Sequence, residues 1–207
     1  MPSSTQAQHP TRQALMAAAR ELMSSGRGFG SLSLREVARG ADIVPTGFYR
    51  HFKDMDALGL ALVAEVGETF RATLRQVRRN EFELGGIIDA SVHIFLAAVE
   101  QNRAQFLFLA REQFGGSQPV RQALTELREN IAADLAKDLA LMSRLGHLDE
   151  RALDVIADLF VKTVFATLPE VVDPPASPLP SHRRPADKLI EQLRFILVGG
   201  KSWRGLG

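Results

Sequence analysis

Along most of the chain, apolar residues recur three and four positions apart, the period of one face of a helix. Leu15, Ala18, Ala19, Leu22 and Met23 predict an amphipathic helix over about 11–24, stopped by Ser24-Ser25-Gly26-Arg27-Gly28. Ser33-Leu34-Arg35-Glu36 reads as a capping box, in which the Ser33 hydroxyl accepts the Glu36 N–H and the Glu36 carboxylate accepts the Ser33 N–H. Leu32 and Val37 flank it as a hydrophobic staple, and Gly40 suits a left-handed helix end. After a gap over Ala41 to Val44, Pro45 suits a first helical position, and a short helix is expected from Pro45 to about His51. Asp54 can cap a long helix reaching about Arg79, with Leu58, Leu62, Val66, Phe70 and Leu74 along it.

Beyond Gly85-Gly86, Ile88, Val92, Phe95, Leu96 and Val99 form a further stripe. Phe106 to Ala110 is apolar on all sides, which predicts a buried helix. Pro119 opens a long helix carrying Val120, Leu124, Leu127, Ile131, Leu135 and Met142. Asp149 caps the next, with Leu153, Ile156, Phe160, Val164 and Leu168 on one face and Val155, Leu159 and Phe165 on another. Two apolar faces require two partners. The proline-rich run Pro169 to Pro185 reads as an extended loop. A last helix is expected from about Ala186, bearing Leu189, Ile190, Leu193, Ile196 and Leu197, with Gly199-Gly200 weakening its end. With no strand pattern and no repeat, the expectation is an all-α fold of about nine helices.

Composition narrows the classes. Apolar residues make up 45% of 207, enough for a packed core, and the absence of cysteine excludes disulfides and thiolate metal sites. Met1 to Pro10 is polar and does not read as a signal peptide, and no long apolar run predicts a membrane span. A cytoplasmic protein with no membrane partner is expected. His9, His51, His93, His147 and His182 show no metal-ligand spacing, and no nucleophile elbow or P-loop is present. Neither an enzyme nor a metal site is expected. Net charge is +1, but residues 1–53 hold seven Lys/Arg against three acids. A basic head on a mildly acidic body suits a nucleic-acid reader.

Two short helices joined by a tight turn, with a third beside them, predict a helix-turn-helix head whose second helix enters the major groove. Val44, Pro45, Thr46 and Gly47 then face the bases; the Thr46 hydroxyl and methyl suit a base edge, and Gly47 permits close backbone approach. Tyr49, His51 and Lys53 are candidate phosphate donors. Ser33 and Arg35 open the preceding helix, where the positive helix end and a guanidinium suit a phosphate or a guanine. Phe48 and Phe52 are expected to point inward.

Ser31-Leu32-Ser33-Leu34-Arg35-Glu36-Val37-Ala38 and Thr46-Gly47-Phe48-Tyr49-Arg50-His51-Phe52-Lys53 together resemble the DNA-binding head of the TetR family of repressors. Tyr49, Phe52 and Lys53 match its core pattern. Within that family these runs look most like the FabR and DesT type, regulators of unsaturated fatty acid synthesis; the likeness is strong over 30–66 and looser over 87–135. The resemblance implies a helix-turn-helix domain over 1–53, continuing into a connector helix at 54–79, and a ligand-binding and dimerisation domain over 54–207. It also implies a homodimer formed through about 149–170 and 186–203, a palindromic double-stranded operator, and long-chain acyl-CoA as effector with no covalent cofactor. A phenylalanine-rich body with few polar handles suits an acyl chain. Phe95, Phe106, Leu109, Arg111, Phe114 and Phe165 are the candidate ligand contacts, with Arg78, Arg103 and Arg111 as candidate partners of the CoA phosphates. The same head and body also suit a repressor responding to a different apolar small molecule.

Overall fold

A computed structural model describes residues 4–79, 84–142, 145, 147–174 and 184–203, with only the backbone considered at 4–9, 78–79, 84–85 and 201. Among the described residues there are nine α-helices and no strand. They are α1 (Ser4–Ser24), α2 (Leu34–Gly40), α3 (Pro45–Phe48), α4 (Met55–Arg79), α5 (Leu84–Gln101), α6 (Arg103–Glu112), α7 (Gln118–Ala140), α8 (Glu150–Val172) and α9 (Pro185–Lys201). A short 3-10 turn, Phe29–Ser31, precedes α2. The helices form two compact units, residues 1–68 with 102–125 and residues 69–101 with 126–207.

The first unit is built on buried side chains from every element it contains. Leu15, Ala19 and Met23 of α1, Val37 and Ala38 of α2, Phe48 of α3, and Leu58 and Leu62 of α4 are all buried. So are Phe106, Phe108 and Leu109 of α6 and Val120 of α7. A boundary after residue 53 divides the chain by expected role; packing divides it elsewhere. The all-round apolar run Phe106 to Ala110 puts α6 in contact with α1, which brings 102–125 into the same core as the short helices. Ring pairs mark that core: Phe29 meets Phe108 edge-on at 5.8 Å, and Phe48 lies 5.6 Å from Phe52.

Gly59 is where α4 admits its neighbours. A Cβ there would lie 2.5 Å from Val120 Cγ2 and 2.9 Å from Phe29 Cε1. Replacing Gly59 by Ala gains about 1 kcal/mol of helix propensity but crowds a branched side chain and a rigid ring, an overpacking cost of about 1–3 kcal/mol. The variant is expected to be the less stable protein, read as a lower urea midpoint at unchanged slope.

Three helix ends depart from the sequence expectation. α1 begins at Ser4 rather than near Thr11, running through Pro10, whose fixed φ is helical and whose ring removes only one ladder bond. α2 does not end on a left-handed Gly40; Asp42 takes that conformation, at φ 55°. Aspartate tolerates it, and Gly40 is instead where α2 passes α1, a Cβ there lying 3.1 Å from Ala18 Cβ. Pro169 lies inside α8, which runs to Val172. The remaining prolines of the loop at 175–180 fall outside the described residues, as does Phe82.

The second unit packs α5, α8 and α9 together, with α8 against α9 its most extensive pairing. Asp149 caps α8 as expected, its Oδ1 accepting the Ala152 N–H at 2.8 Å. Phe165 does not share a face with Val155 and Leu159. It is buried and stacked on Phe70, with ring centres 5.3 Å apart, whereas Val155 and Leu159 are exposed. No helix of the described residues is long and apolar enough to cross a membrane.

Candidate nucleic-acid interface and ligand cavity

The predicted capping box is formed. The Ser33 hydroxyl accepts from Glu36 N at 3.3 Å, and Glu36 Oε2 accepts from Ser33 N at 2.9 Å. Arg27 adds a charged partner, its Nη1 donating to Glu36 Oε1 at 2.8 Å. Bonds from Arg27 and then from the Ser33 hydroxyl and N–H hold the Glu36 carboxyl at about 2, below its ordinary 4.5. Since the folded value lies below the unfolded one, the box stabilises the protein fully above about pH 4.5. That contribution drains away as the pH falls toward 2. Chemical denaturation of wild type and Glu36→Gln is therefore expected to show a stability gap that is widest near neutral pH and closes on acidification. A gap independent of pH would mean that the carboxylate is not the group responsible.

From Gly40 the chain turns through Ala41 and Asp42, where Ile43 N donates to Ala38 O at 2.9 Å. Pro45 then opens α3 at its first turn, the position where a missing N–H is harmless. The α-helix proper is shorter than the expected 45–51, ending at Phe48. It tightens into turns in which His51 N reaches Phe48 O at 2.9 Å and Phe52 N reaches the same carbonyl at 3.0 Å. Phe48 is the buried residue of α3, and Phe52 is buried beyond it with the Arg12 guanidinium 4.9 Å from its ring centre. Both phenylalanines point inward as the pattern requires.

What the two phenylalanines hold outward is the candidate reading face. Val44 is 68% exposed and Tyr49 63%. Ser33, Arg35, Pro45, Thr46 and Lys53 are exposed too, while Gly47 and His51 are half-buried. All nine predicted DNA contacts thus belong to one unit, on α2, α3 and the turns around them. Gly47 has a second reason for being glycine: a Cβ there would sit 2.6 Å from Ile43 Cγ2.

The ligand contacts divide. A cavity of about 460 Å³ lies in the second unit, a size usual for small-molecule sites. Phe95 and Phe165 line it, beside Phe70, Phe160, Leu135 and Leu193. Thr73, Ser91 and Asp138 are the only polar residues in its wall among the described residues. The Thr73 and Ser91 hydroxyls donate back to Thr69 O and Ile87 O on their own helices. Of the candidate ligand contacts, Phe106, Leu109, Arg111 and Phe114 do not line this cavity. Phe106 and Leu109 are buried in the first unit, where Arg111 donates to Met23 O at 3.1 Å, and Phe114 is 85% exposed. Arg103 is exposed in that unit, and the Arg78 side chain lies outside the described residues. Periodicity marks α6 as buried without saying against what. The missed lining residues, Phe70 and Leu193 among them, sit on stripes that the sequence does show.

Residues 15–62 match the family model described as bacterial regulatory proteins, tetR family, and residues 84–199 match the one described as tetracyclin repressor-like, C-terminal domain. Among solved structures the chain is similar to a TetR-family transcriptional regulator from Syntrophomonas wolfei, with TM-score 0.72 and 16% identity over 92% of this chain and 94% of that one. It is similar to GusR of Salmonella enterica, with TM-score 0.69 and 24% identity over 91% and 96%. It is also similar to the TetR-family repressor FadR of Thermus thermophilus, solved in complex with lauroyl-CoA, with TM-score 0.60 and 21% identity over 91% and 94%. At these identities the structural likeness speaks for the fold alone.

Proposed function

Because the chain belongs to the TetR family of bacterial regulatory proteins, we propose that it is a repressor whose operator affinity is set by long-chain acyl-CoA, saturated against unsaturated, and that it governs fatty acid desaturation genes. Members of the family are DNA-binding transcription regulators that act as dimers, and are not enzymes. The finer reading assigns α3 to the major groove, with Thr46 at the base edges and Tyr49, His51 and Lys53 on phosphates. The exposure of Val44 and Tyr49 above a buried Phe48 supports it.

Dimerisation is assigned to about 149–170 and 186–203. Val155 and Leu159 on α8, and Phe195 and Val198 on α9, are exposed at helical spacing on two helices that already pack together. A second copy covering them would bury what a solitary chain leaves in water.

The single observation that carries the effector reading is the cavity: twenty of its lining side chains are apolar, among them four phenylalanines. An acyl chain fills such a space without needing polar partners, and a structural neighbour was captured with lauroyl-CoA. Phe70, which stacks on Phe165 and lies 5.8 Å from Phe95, belongs to α4, a helix that contributes residues to both units. A cis double bond bends the chain and asks these rings to repack; a straight chain does not. The effector changes DNA affinity only as far as it binds two arrangements of the protein unequally. Operator titrations with oleoyl-CoA and palmitoyl-CoA are expected to give dissociation constants differing by about fivefold or more. Equal constants would remove acyl sensing and leave the DNA reading intact.

A second effector reading has one observation in its favour. Asp138 belongs to the cavity wall, and a polar residue there can orient a small apolar molecule that carries a hydrogen-bonding group. Native mass spectrometry of freshly purified protein decides between the two by the mass that travels with it.

A further inference from the structure

Glu112 closes α6 with its side chain only 3% exposed, and it belongs neither to the reading face nor to the cavity. Burying a carboxylate is costly, so its surroundings bear on what it does. Oε1 accepts the backbone N–H of Phe29 at 2.8 Å. Oε2 is buried and has no hydrogen-bond partner among the described residues. Gly115 closes over it so tightly that a Cβ there would overlap Oε2.

Phe29 lies in the turn that joins α1 to α2, and α6 makes two more contacts nearby, one to the end of α1 and one to the turn itself. Arg111 Nη1 donates to Met23 O at 3.1 Å, and the Phe29 ring meets Phe108 edge-on. The turn in turn grips α2. Arg27 donates through Nη1 to Glu36 Oε1 at 2.8 Å and through Nη2 to Ser31 O at 2.7 Å, and Glu36 is the partner of Ser33 in the capping box. Glu112 thus holds Phe29, and two residues back along the same turn Arg27 holds Glu36, the capping partner of Ser33, all within the first unit.

We propose that Glu112 is a positioning residue for operator binding: by fixing the Phe29 N–H it sets the α1–α2 turn, and through that turn the start of α2, where Ser33 and Arg35 face DNA. The proposal rests on the reading of Ser33 and Arg35 as phosphate contacts. Glu112 touches no nucleotide itself. Its effect is on the register of groups that do, so the signature is electrostatic as well as energetic.

The test measures operator affinity by fluorescence anisotropy between about 50 and 200 mM salt, on full-length wild type, Glu112→Leu, Glu112→Gln, Gly115→Ala and Arg35→Ala. Leucine fills the space but leaves the Phe29 N–H without an acceptor; it is expected to weaken binding about tenfold per folded dimer. Its salt slope should fall by about 0.9 for each phosphate that each subunit no longer neutralises. Glutamine keeps an acceptor oxygen and should stay within about threefold of wild type. Gly115→Ala, which pushes on the carboxylate from behind, should resemble leucine. A leucine variant with a lowered melting temperature but wild-type affinity and slope would overturn the proposal and make Glu112 a purely structural residue. If Arg35→Ala also leaves the slope unchanged, the phosphate reading itself falls. Should the leucine variant not fold, amide exchange at Phe29 in the wild type decides: slow exchange, slowed further by operator, is expected, and exchange at the rate of an exposed loop overturns the proposal.

Discussion

Replacing Leu159 and Phe195 together by Glu is expected to turn the dimer into a monomer and to weaken binding to a palindromic operator by about 10²–10⁴-fold. Both side chains are in water when the chain is alone, Phe195 at 80% exposure and Leu159 at 42%, so the substitutions leave the fold of one chain untouched. In the proposed interface they are covered, and a carboxylate there loses its hydration without gaining a partner. Two reading heads joined in one particle bind the second half-site as an intramolecular event, and that advantage is what a monomer forfeits. Sedimentation velocity reads the mass and anisotropy reads the affinity. A double variant that still sediments as a dimer would move the interface off α8 and α9.

Phe48→Ala should be almost as damaging by a different route. The ring is fully buried beneath a helix of four residues in which it is the buried side chain, and it touches Tyr49 and Phe52. Truncating such a ring costs about 3–5 kcal/mol. That is a large share of the roughly 5–15 kcal/mol available to a domain, and α3 has little else to hold it down. The expected result is local: operator binding is lost while the dimer, whose interface is assigned to the other unit, persists. Wild-type operator affinity in Phe48→Ala would show that α3 is not what reads the duplex.

Where the chain's own chemistry is local, it is legible. Ser33 and Glu36 stand three residues apart and need only a helical turn to meet, so the capping box can be read directly and is present. Phe48 and Phe52, four apart, announce one inward face and leave Thr46 and Tyr49 outward. Pro45 and Asp149 mark helix starts for reasons confined to their own turns. The all-α class follows from the same short-range period.

Contacts between distant segments are not legible in this way. The run Phe106 to Ala110 says that α6 is buried, but not that its neighbours are Phe29 and Met23, some eighty residues earlier. For that reason Phe106, Leu109 and Arg111 suggest a ligand wall in the sequence, whereas in the fold they hold the first unit together. Phe114 shows the converse: an aromatic residue beside a buried run, carried into water by the turn that ends α6. Gly40 and Asp42 exchange roles because a close pass between α1 and α2 consumes the glycine, and that demand comes from packing rather than from the helix end. The cavity wall draws on stripes whose partners only the folded chain reveals.

Selection of bound duplexes from a random pool, followed by sequencing, puts the groove-reading role of α3 to the most direct trial. The dimer should enrich a palindrome with half-site centres roughly 34–36 Å apart, and Thr46→Ala should shift the preferred bases within each half-site while keeping their spacing. A pool left without any enriched sequence, or a preference that Thr46→Ala leaves unchanged, would contradict it.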